Sequence, residues 1–181
     1  MQKLSVLAAM LMIAGCQSVT RPPLTTVSHV ELPRFMGDWY VIANIPTFIE
    51  KGAHNAIESY RLDTDGTVAT TFTFRADGFD GPLKRYTPRG FVVPSSGNAH
   101  WGMRFVWPFK SEYRIMYLDE SYAQTIIGRT KRDYVWIMAR APVIPEADYQ
   151  RLVAFLATEG YDVSKLQKVP QRWPQNDGVM Q

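Results

Sequence analysis

The sequence has 181 residues, of which 46% are hydrophobic and 13% aromatic, and its formal net charge is +3. This length and composition are typical of one globular domain with a substantial core. No apolar stretch reaches the roughly 18 residues that a transmembrane helix needs, and the basic residues are scattered, so neither an integral helical protein nor a nucleic-acid-binding protein is expected.

The N-terminal segment has the pattern of a secretory leader. Lys3 supplies a short positive region, and residues 4–13 form an apolar stretch of signal-peptide length. The following Ala14-Gly15-Cys16 resembles the lipobox of bacterial lipoproteins, in which the cysteine is lipidated and becomes the first residue of the mature chain. We therefore predict a signal peptide over residues 1–15 and a membrane link through lipid attachment at Cys16. An ordinary signal peptide with a chance cysteine is the alternative.

Two further predictions follow from this region. Cys16 is the only cysteine, so no disulfide staples the mature chain and no thiol remains free. Gln17 follows it; by resemblance to the enterobacterial sorting rule, in which Asp at this position retains a lipoprotein at the inner membrane, the outer membrane is expected, with the protein facing the periplasm. Residues 16–32 are polar and interrupted by Pro22-Pro23, which predicts an extended tether with a reach of about 50 Å.

The central part of the chain reads as a series of short strands separated by turn signals such as Asp65-Gly66 and Asp77-Gly78. Strands next to each other in sequence and joined by short turns favour an up-and-down order. The fold class predicted is all-β, an eight-stranded antiparallel up-and-down barrel, with a flat sandwich as a less specific alternative. The predicted strands are Trp39–Ile45, Ile57–Leu62, Val68–Arg75, Leu83–Val93, Ala99–Trp107, Glu112–Leu118, Gln124–Arg129 and Tyr134–Arg140.

One C-terminal helix is predicted over residues 145–160. Pro145 suits its first turn and Gly160 its C-terminal end. The last predicted strand is apolar on both faces, so its outward residues Val135, Ile137 and Ala139 need cover, which the helix can give from the outer wall of the barrel. The helix carries a single apolar stripe at helical spacing, formed by Tyr149, Leu152, Val153 and Leu156.

Several motifs, taken in order, resemble those of the lipocalins, and within that family the bacterial outer-membrane lipocalins related to apolipoprotein D. Residues 37–40, Gly-Asp-Trp-Tyr, match the first motif of the family, and residues 128–140 resemble its last hairpin with a closing arginine. Residues 118–122 depart from the usual second motif but resemble its variant in the bacterial subgroup. The segment 159–165 also resembles the bacterial subgroup. The resemblance covers residues 32–173.

The resemblance implies domain limits and a structural contact at the closed end of the barrel. Residues 33–173 would form the barrel and helix, and residues 174–181 a tail. Trp39 would seal one end of the barrel, Gly37 would leave room for the entering chain, and the Arg140 guanidinium would stack on the indole. Such a cation–π contact is worth about 1–2 kcal/mol when partly desolvated.

Bacterial lipocalins bind fatty acids and lysophospholipids, so the resemblance implies the same ligands for this barrel. Tyr113 could offer its hydroxyl to a carboxylate or phosphate, and Trp136 shares the strand face of Arg140. A head-group anchor at the mouth is left open among Lys51, His54, Lys84 and Arg89. From inward alternation and the resemblance, the predicted ligand-binding residues are Ile57, Phe72, Phe74, Phe105, Trp107, Tyr113, Tyr117, Trp136 and Met138.

Three alternatives to a lipid carrier remain open. A lipid-active enzyme lacks support, because the chain has no Gly-x-Ser-x-Gly motif and its three histidines show no metal-binding spacing, so no catalytic residue, metal or cofactor is predicted. An assembly or chaperone-like role would need a filled barrel, with exposed Trp101 or Trp173 marking a partner or a possible homodimer face. Haem or pigment carriage would need His54 or His100 to point inward.

Overall fold

The computed structural model describes residues 22–174. The predicted signal peptide, the lipidation site at Cys16 and nearly all of the predicted tail lie outside the described residues, and the domain limits stay predictions. No helix within residues 22–174 is long and apolar enough to span a membrane.

Within residues 22–174, ten strands form one antiparallel sheet, accompanied by two α-helices and a short 3₁₀-helix at Val163–Lys165. The helices are α1 (Leu32–Phe35) and α2 (Glu146–Thr158). The strands are β1 (Gly37–Ile45), β2 (Ala53–Leu62), β3 (Thr67–Ala76), β4 (Leu83–Tyr86), β5 (Arg89–Val92), β6 (His100–Val106), β7 (Phe109–Leu118), β8 (Gln124–Gly128), β9 (Val135–Ala139) and β10 (Gln167–Lys168).

The sheet closes into an eight-stranded barrel because β1 pairs with both β2 and β9. Strands β4 and β5 pair with successive parts of β3 and together occupy one position in the barrel. The sequence predicted them as one strand, Leu83–Val93, but the chain breaks at Thr87-Pro88, where proline has no amide hydrogen for the ladder. The predicted eight-stranded up-and-down barrel is confirmed.

The predicted helix packs on the outer wall of the barrel. Leu152 and Leu156 are fully buried, and they share a core cluster with Ile137 and the other outward residues of β9. Pro145 caps the start of α2, and Gly160, just beyond its end, has a φ of +81° that favours glycine. The helix supplies the cover that the apolar outer face of β9 requires.

Residues 22–32 do not form a free tether, contrary to the prediction. The Val30 side chain is fully buried, and its amide donates to the Gly97 carbonyl at 2.8 Å. The Val27 amide donates to the Ile115 carbonyl at 3.0 Å. The polar composition of the segment concealed apolar contacts at Val30 and at Leu24, which is 8% exposed.

Strand direction assigns each loop to one of two ends. The chain enters β1 at the end where Gly37 lies, which is also where the β2–β3, β5–β6 and β7–β8 loops lie. The β1–β2 loop (46–52), the β3–β4 loop (77–82), the β6–β7 turn (107–108) and the β8–β9 loop (129–134) lie at the other end. We call these the closed end and the open end.

Candidate functional site

The closed end is held by the side chain of Arg140, which follows β9. Its guanidinium carbon lies 3.9 Å from the centroid of the Trp39 ring, which is the stacking that the sequence analysis predicted. The guanidinium nitrogens also donate at 2.8 to 3.1 Å to the backbone carbonyls of Arg34, Phe35, Met36 and Asp38. One side chain therefore ties the entering segment to the last strand of the barrel.

Trp39 sits at the centre of this end with none of its surface exposed, and its Nε1 donates to the Phe35 carbonyl at 2.8 Å. Gly37 has a φ of +91°, and a Cβ at that position would lie 3.4 Å from Nη1 of Arg140. The backbone conformation there favours glycine, and the gap beneath the guanidinium is small.

An aromatic floor lies above the Arg140–Trp39 contact. Phe35 packs against Trp39 with a centroid distance of 5.0 Å, and Tyr60 lies 5.6 Å from Phe35. Trp101 and Tyr113 are stacked with their centroids 5.1 Å apart. The interpretation of Trp101 as a surface residue is wrong, because it is fully buried in this floor. Trp173, the other candidate for a partner face, is half-buried, with its ring 5.5 Å from that of Tyr40.

A cavity of about 500 Å³ extends from this floor to the open end. Its volume falls within the range of about 300–1,000 Å³ that is usual for small-molecule sites. The barrel is therefore not filled, which removes the basis of the assembly alternative. Neither His54 nor His100, which the pigment alternative required, lines the cavity.

The structure brings four of the predicted ligand-binding residues to the cavity wall: Phe72, Phe105, Tyr113 and Trp136. They come from four different strands, β3, β6, β7 and β9, and so surround the space. The alternation of inward and outward side chains along each strand was the basis for predicting these four residues. Their contact with a ligand stays a prediction. Tyr86, Met103 and Tyr134 also line the cavity but were not among the predicted residues.

Two predicted residues point inward without lining the cavity. Phe74 is 2% exposed, and its ring packs against those of Phe72 and Tyr86 at centroid distances of 5.3 and 6.2 Å. Met138 is fully buried near the closed end, opposite Val41 of β1. Both side chains are part of the packed core rather than of the wall.

Three further predicted residues lie outside the cavity because of irregularities in the strands. The register of β2 shifts before Ile57, so that Glu58, not Ile57, faces the interior. A shift between Ile115 and Tyr117 turns Tyr117 towards α2, where its ring lies 5.9 Å from that of Phe155. Trp107 lies in the β6–β7 turn beyond the end of β6 and is 77% exposed.

A half-buried carboxyl, that of Glu58, lines the cavity. It accepts a hydrogen bond from the Tyr60 hydroxyl, which in turn lies 2.6 Å from the Tyr113 hydroxyl. Burial raises the pKa of Glu58 to about 7, the bond from Tyr60 opposes this rise, and the negative charge of Glu50 adds to it. Burial also raises the pKa of both tyrosines well above the ordinary value, so both keep their protons near neutral pH.

Glu50 brings a second carboxyl to the cavity from the β1–β2 loop. It is 6% exposed and accepts hydrogen bonds from Nε1 of Trp136 and from the amide of Thr47, both at 2.8 Å. Among residues 22–174, no basic side chain comes within 4.0 Å of the carboxyl oxygens of Glu50 or Glu58. The deep polar surface of the cavity is therefore acidic.

The other charged groups of the lining have partners. Glu112 accepts from Nε of Arg114 and from the amide of Thr130, both at 2.6 Å. Arg129 lines the cavity and lies 3.5 Å from Asp133. None of the four open head-group candidates, Lys51, His54, Lys84 and Arg89, lines the cavity. In the described part of the chain, no group of three or more His, Cys, Asp or Glu side chains could hold a metal ion.

Comparisons with other sequences agree with this architecture. A family model described as a lipocalin-like domain matches residues 30–171. Outer membrane lipoprotein Blc of Escherichia coli strain K12 is 30% identical over 174 residues, covering 90% of this chain and 92% of that protein. Temperature-induced lipocalin-1 of Arabidopsis thaliana is 31% identical over 156 residues, covering 82% and 83%. Apolipoprotein D of Bos taurus is 30% identical, covering 80% and 78%.

Solved structures share the fold at lower sequence identity. Insecticyanin from the tobacco hornworm Manduca sexta matches with a TM-score of 0.65 at 15% identity, over 83% of this chain and 85% of that chain. The cockroach allergen Per a 4 matches with a TM-score of 0.62 at 18% identity, over 82% of this chain and 92% of that chain. The barrel, the closing arginine and the matching family model together identify this chain as a member of the lipocalin family.

Proposed function

We propose that this protein is a lipid-binding lipoprotein of the outer membrane, which stores or carries fatty acids or lysophospholipids in its barrel and serves envelope lipid maintenance. The observation that carries the proposal is the cavity of about 500 Å³, sealed at one end by Trp39 and open at the other. It acts by binding and release and performs no covalent chemistry.

An acyl chain is apolar, as is much of the cavity wall. Phe72, Met103 and Phe105 line the space and present apolar surface to it. Each methylene that leaves water gains about 0.8 kcal/mol, so a chain of about 16 carbons gains on the order of 10 kcal/mol before losses. Ordering the ligand and the side chains offsets part of this gain and leaves micromolar affinity or better.

The location follows from the N-terminal sequence and from relatives. The lipobox-like sequence ending in Cys16 supports an acyl anchor, and Gln17 supports sorting to the outer membrane, on its periplasmic side. Three of the similar proteins, from Escherichia coli and Citrobacter freundii, carry the name outer membrane lipoprotein Blc. These names agree with the location proposed for this chain.

Native mass spectrometry of the purified mature chain, followed by lipid extraction, tests the proposal. We expect an acyl lipid to copurify, or added fatty acid or lysophospholipid to bind with micromolar affinity or better. Protein that is free of lipid and ignores both added lipids would overturn the proposal.

A matched pair of variants then locates the ligand. Ser111 lines the cavity, so Ser111→Trp fills part of the space and is expected to lower lipid affinity at least tenfold. Thr73 alternates with the inward Phe72 and Phe74 on β3, so Thr73→Trp adds the same side chain to the outer face and should leave affinity unchanged. Equal affinities for the two variants would place the ligand outside the barrel.

A further inference from the structure

Large apolar side chains are exposed around the mouth of the cavity. Two of them, Phe109 and Trp107, are 76% and 77% exposed, and Phe48 is 84% exposed. Isolated exposed apolar residues are ordinary, but a group of them at one site marks an interaction surface. We define the apolar rim as Phe48, Phe105, Val106, Trp107 and Phe109, all from the β1–β2 loop or the β6–β7 hairpin.

The apolar rim is continuous with the cavity. Phe48, Phe105 and Val106 line the cavity and are also exposed to solvent, so they form the edge of its mouth. Trp107 and Phe109 extend this surface outward from the tip of the hairpin and do not line the cavity. A partner seated on the rim would therefore lie directly over the entrance through which a ligand passes.

The N-terminal segment reaches the same end of the barrel. The Pro22 carbonyl accepts a hydrogen bond from Nη2 of Arg132 at 2.8 Å, and Arg132 belongs to the β8–β9 loop at the open end. From there the chain runs towards the closed end, where Val30 bonds to Gly97. Cys16 precedes Pro22 by six residues, and a trans polypeptide of that length spans at most about 20 Å. An acyl anchor on Cys16 would hold the mouth, rather than the floor, near a bilayer.

The charges at the open end suit an anionic lipid surface. Lys51, Lys84 and Lys110 are exposed on the β1–β2 loop, β4 and β7 near the mouth. Asp77 and Asp80 are exposed acidic groups of this end and lie together on the β3–β4 loop, and the partly exposed Asp133 of the β8–β9 loop is ion-paired to Arg129. Aromatic side chains flanked by lysines are characteristic of protein surfaces that lie at the boundary between head groups and acyl chains.

We infer that the apolar rim docks on the surface of a lipid bilayer that contains anionic lipid, with Trp107 and Phe109 at the head-group boundary and the cavity mouth against the membrane. A ligand then passes between bilayer and barrel without crossing open water. This inference rests on the proposed function for the acyl anchor and the lipid ligand. A second copy of the chain seated on the same rim is the competing occupant.

Vesicle flotation of the full mature chain carrying Cys16→Ser tests the docking, because this change removes the acyl anchor and leaves the rim. With vesicles of phosphatidylethanolamine and phosphatidylglycerol, we expect the double variant Trp107→Ser, Phe109→Ser to bind at least tenfold more weakly. Val143→Ser is the matched control, since Val143 is 74% exposed but follows β9 at the closed end. The control should float like the parent chain.

The outcomes separate the docking from the proposed function. Fatty-acid affinity in vesicle-free buffer is expected to be the same for the parent and the double variant, because neither Trp107 nor Phe109 lines the cavity. Failure of every chain to bind either fatty acid or lysophospholipid would overturn the proposed function, whatever the vesicles show. A parent chain that does not float, or a double variant that floats equally well, overturns the docking. Self-association of the parent that the double variant loses, without vesicle binding, assigns the rim to a second copy.

Discussion

Replacing Arg140 by alanine is expected to lower the free energy of unfolding by about 3 kcal/mol or more. The change removes the cation–π contact with Trp39, worth about 1–2 kcal/mol, and leaves several carbonyls at the closed end without their charged donor. Arg140→Lys should recover less than half of the loss, because an ammonium group cannot reproduce the spread of the guanidinium donors. Urea unfolding at pH 7 measures these differences.

Arg61→Ala supplies the control for this experiment. Arg61 lies at the same end, with its side chain 75% exposed and ion-paired to Asp63 at 2.7 Å. Exposed pairs of this kind contribute about 0–1 kcal/mol. A double-mutant cycle of Arg140→Ala with Trp39→Phe should give a coupling energy of about 1 kcal/mol. If Arg140→Ala lowers the free energy of unfolding no more than Arg61→Ala does, packing alone stabilises the closed end.

Periodicity was sufficient to predict the strands and their faces, whereas the choice of a barrel over a flat sandwich rested also on the family motifs. Thr70, Phe72 and Phe74 are buried and alternate with half-buried residues along β3, so the pattern assigned both the strand and its faces. The apolar stripe of α2 likewise indicated where the helix would pack. Gly37 and Arg140 lie a hundred residues apart and were brought together by the family motifs, since no local pattern relates them.

Two of the misplaced site residues share one physical cause. A one-residue shift in register reverses the side chains of everything beyond it, and such shifts lie next to Ile57 and Tyr117. Nothing in the local sequence marks these bulges. Glu58 was missed for a different reason, because a single carboxylate within a strand reads as a solvent-facing residue. Its place on the same face as Tyr60 was the only available signal.

Glu58→Gln is expected to stabilise the protein at alkaline pH and to leave its stability nearly unchanged at pH 5. The pKa of Glu58 rises from 4.5 in the unfolded chain to about 7 in the fold, so the folded state holds the proton more tightly between these values. The contribution is therefore fully present below pH 4.5 and is lost as pH rises through about 7. At pH 8 the buried charge costs about 3 kcal/mol, and glutamine, which keeps the acceptor for Tyr60, avoids it.

Glu112→Gln should change the free energy of unfolding in the opposite direction: it should destabilise the protein at alkaline pH. Although burial acts to raise the pKa of Glu112, hydrogen bonds from Thr130 and Arg114 bring it below the ordinary value. Its contribution is present above the unfolded pKa and is lost on acidification, so the variant should be destabilised at pH 8 and not in strong acid. Chemical denaturation of the three proteins from about pH 3 to pH 8 checks both signs, because the contribution of Glu112 changes only below its unfolded pKa of 4.5. A difference between Glu58→Gln and the parent that does not change with pH would mean that the carboxyl is solvated in the fold.

The same proton should govern which head group enters the cavity. Below pH 7 the carboxyl of Glu58 is neutral, whereas above it a negative charge faces the ligand space. We therefore expect the affinity for dodecanoic acid to fall on the order of tenfold between pH 6 and pH 8, as for two like charges about 10 Å apart at an effective dielectric constant of about 20.

Dodecanol, which has the same chain without the charge, should bind equally at both pH values. In Glu58→Gln the acid should lose this part of its pH dependence, because the carboxyl whose pKa lies near 7 is no longer present. If acid and alcohol respond alike to pH in the parent chain, the head group lies at the mouth and does not reach Glu58.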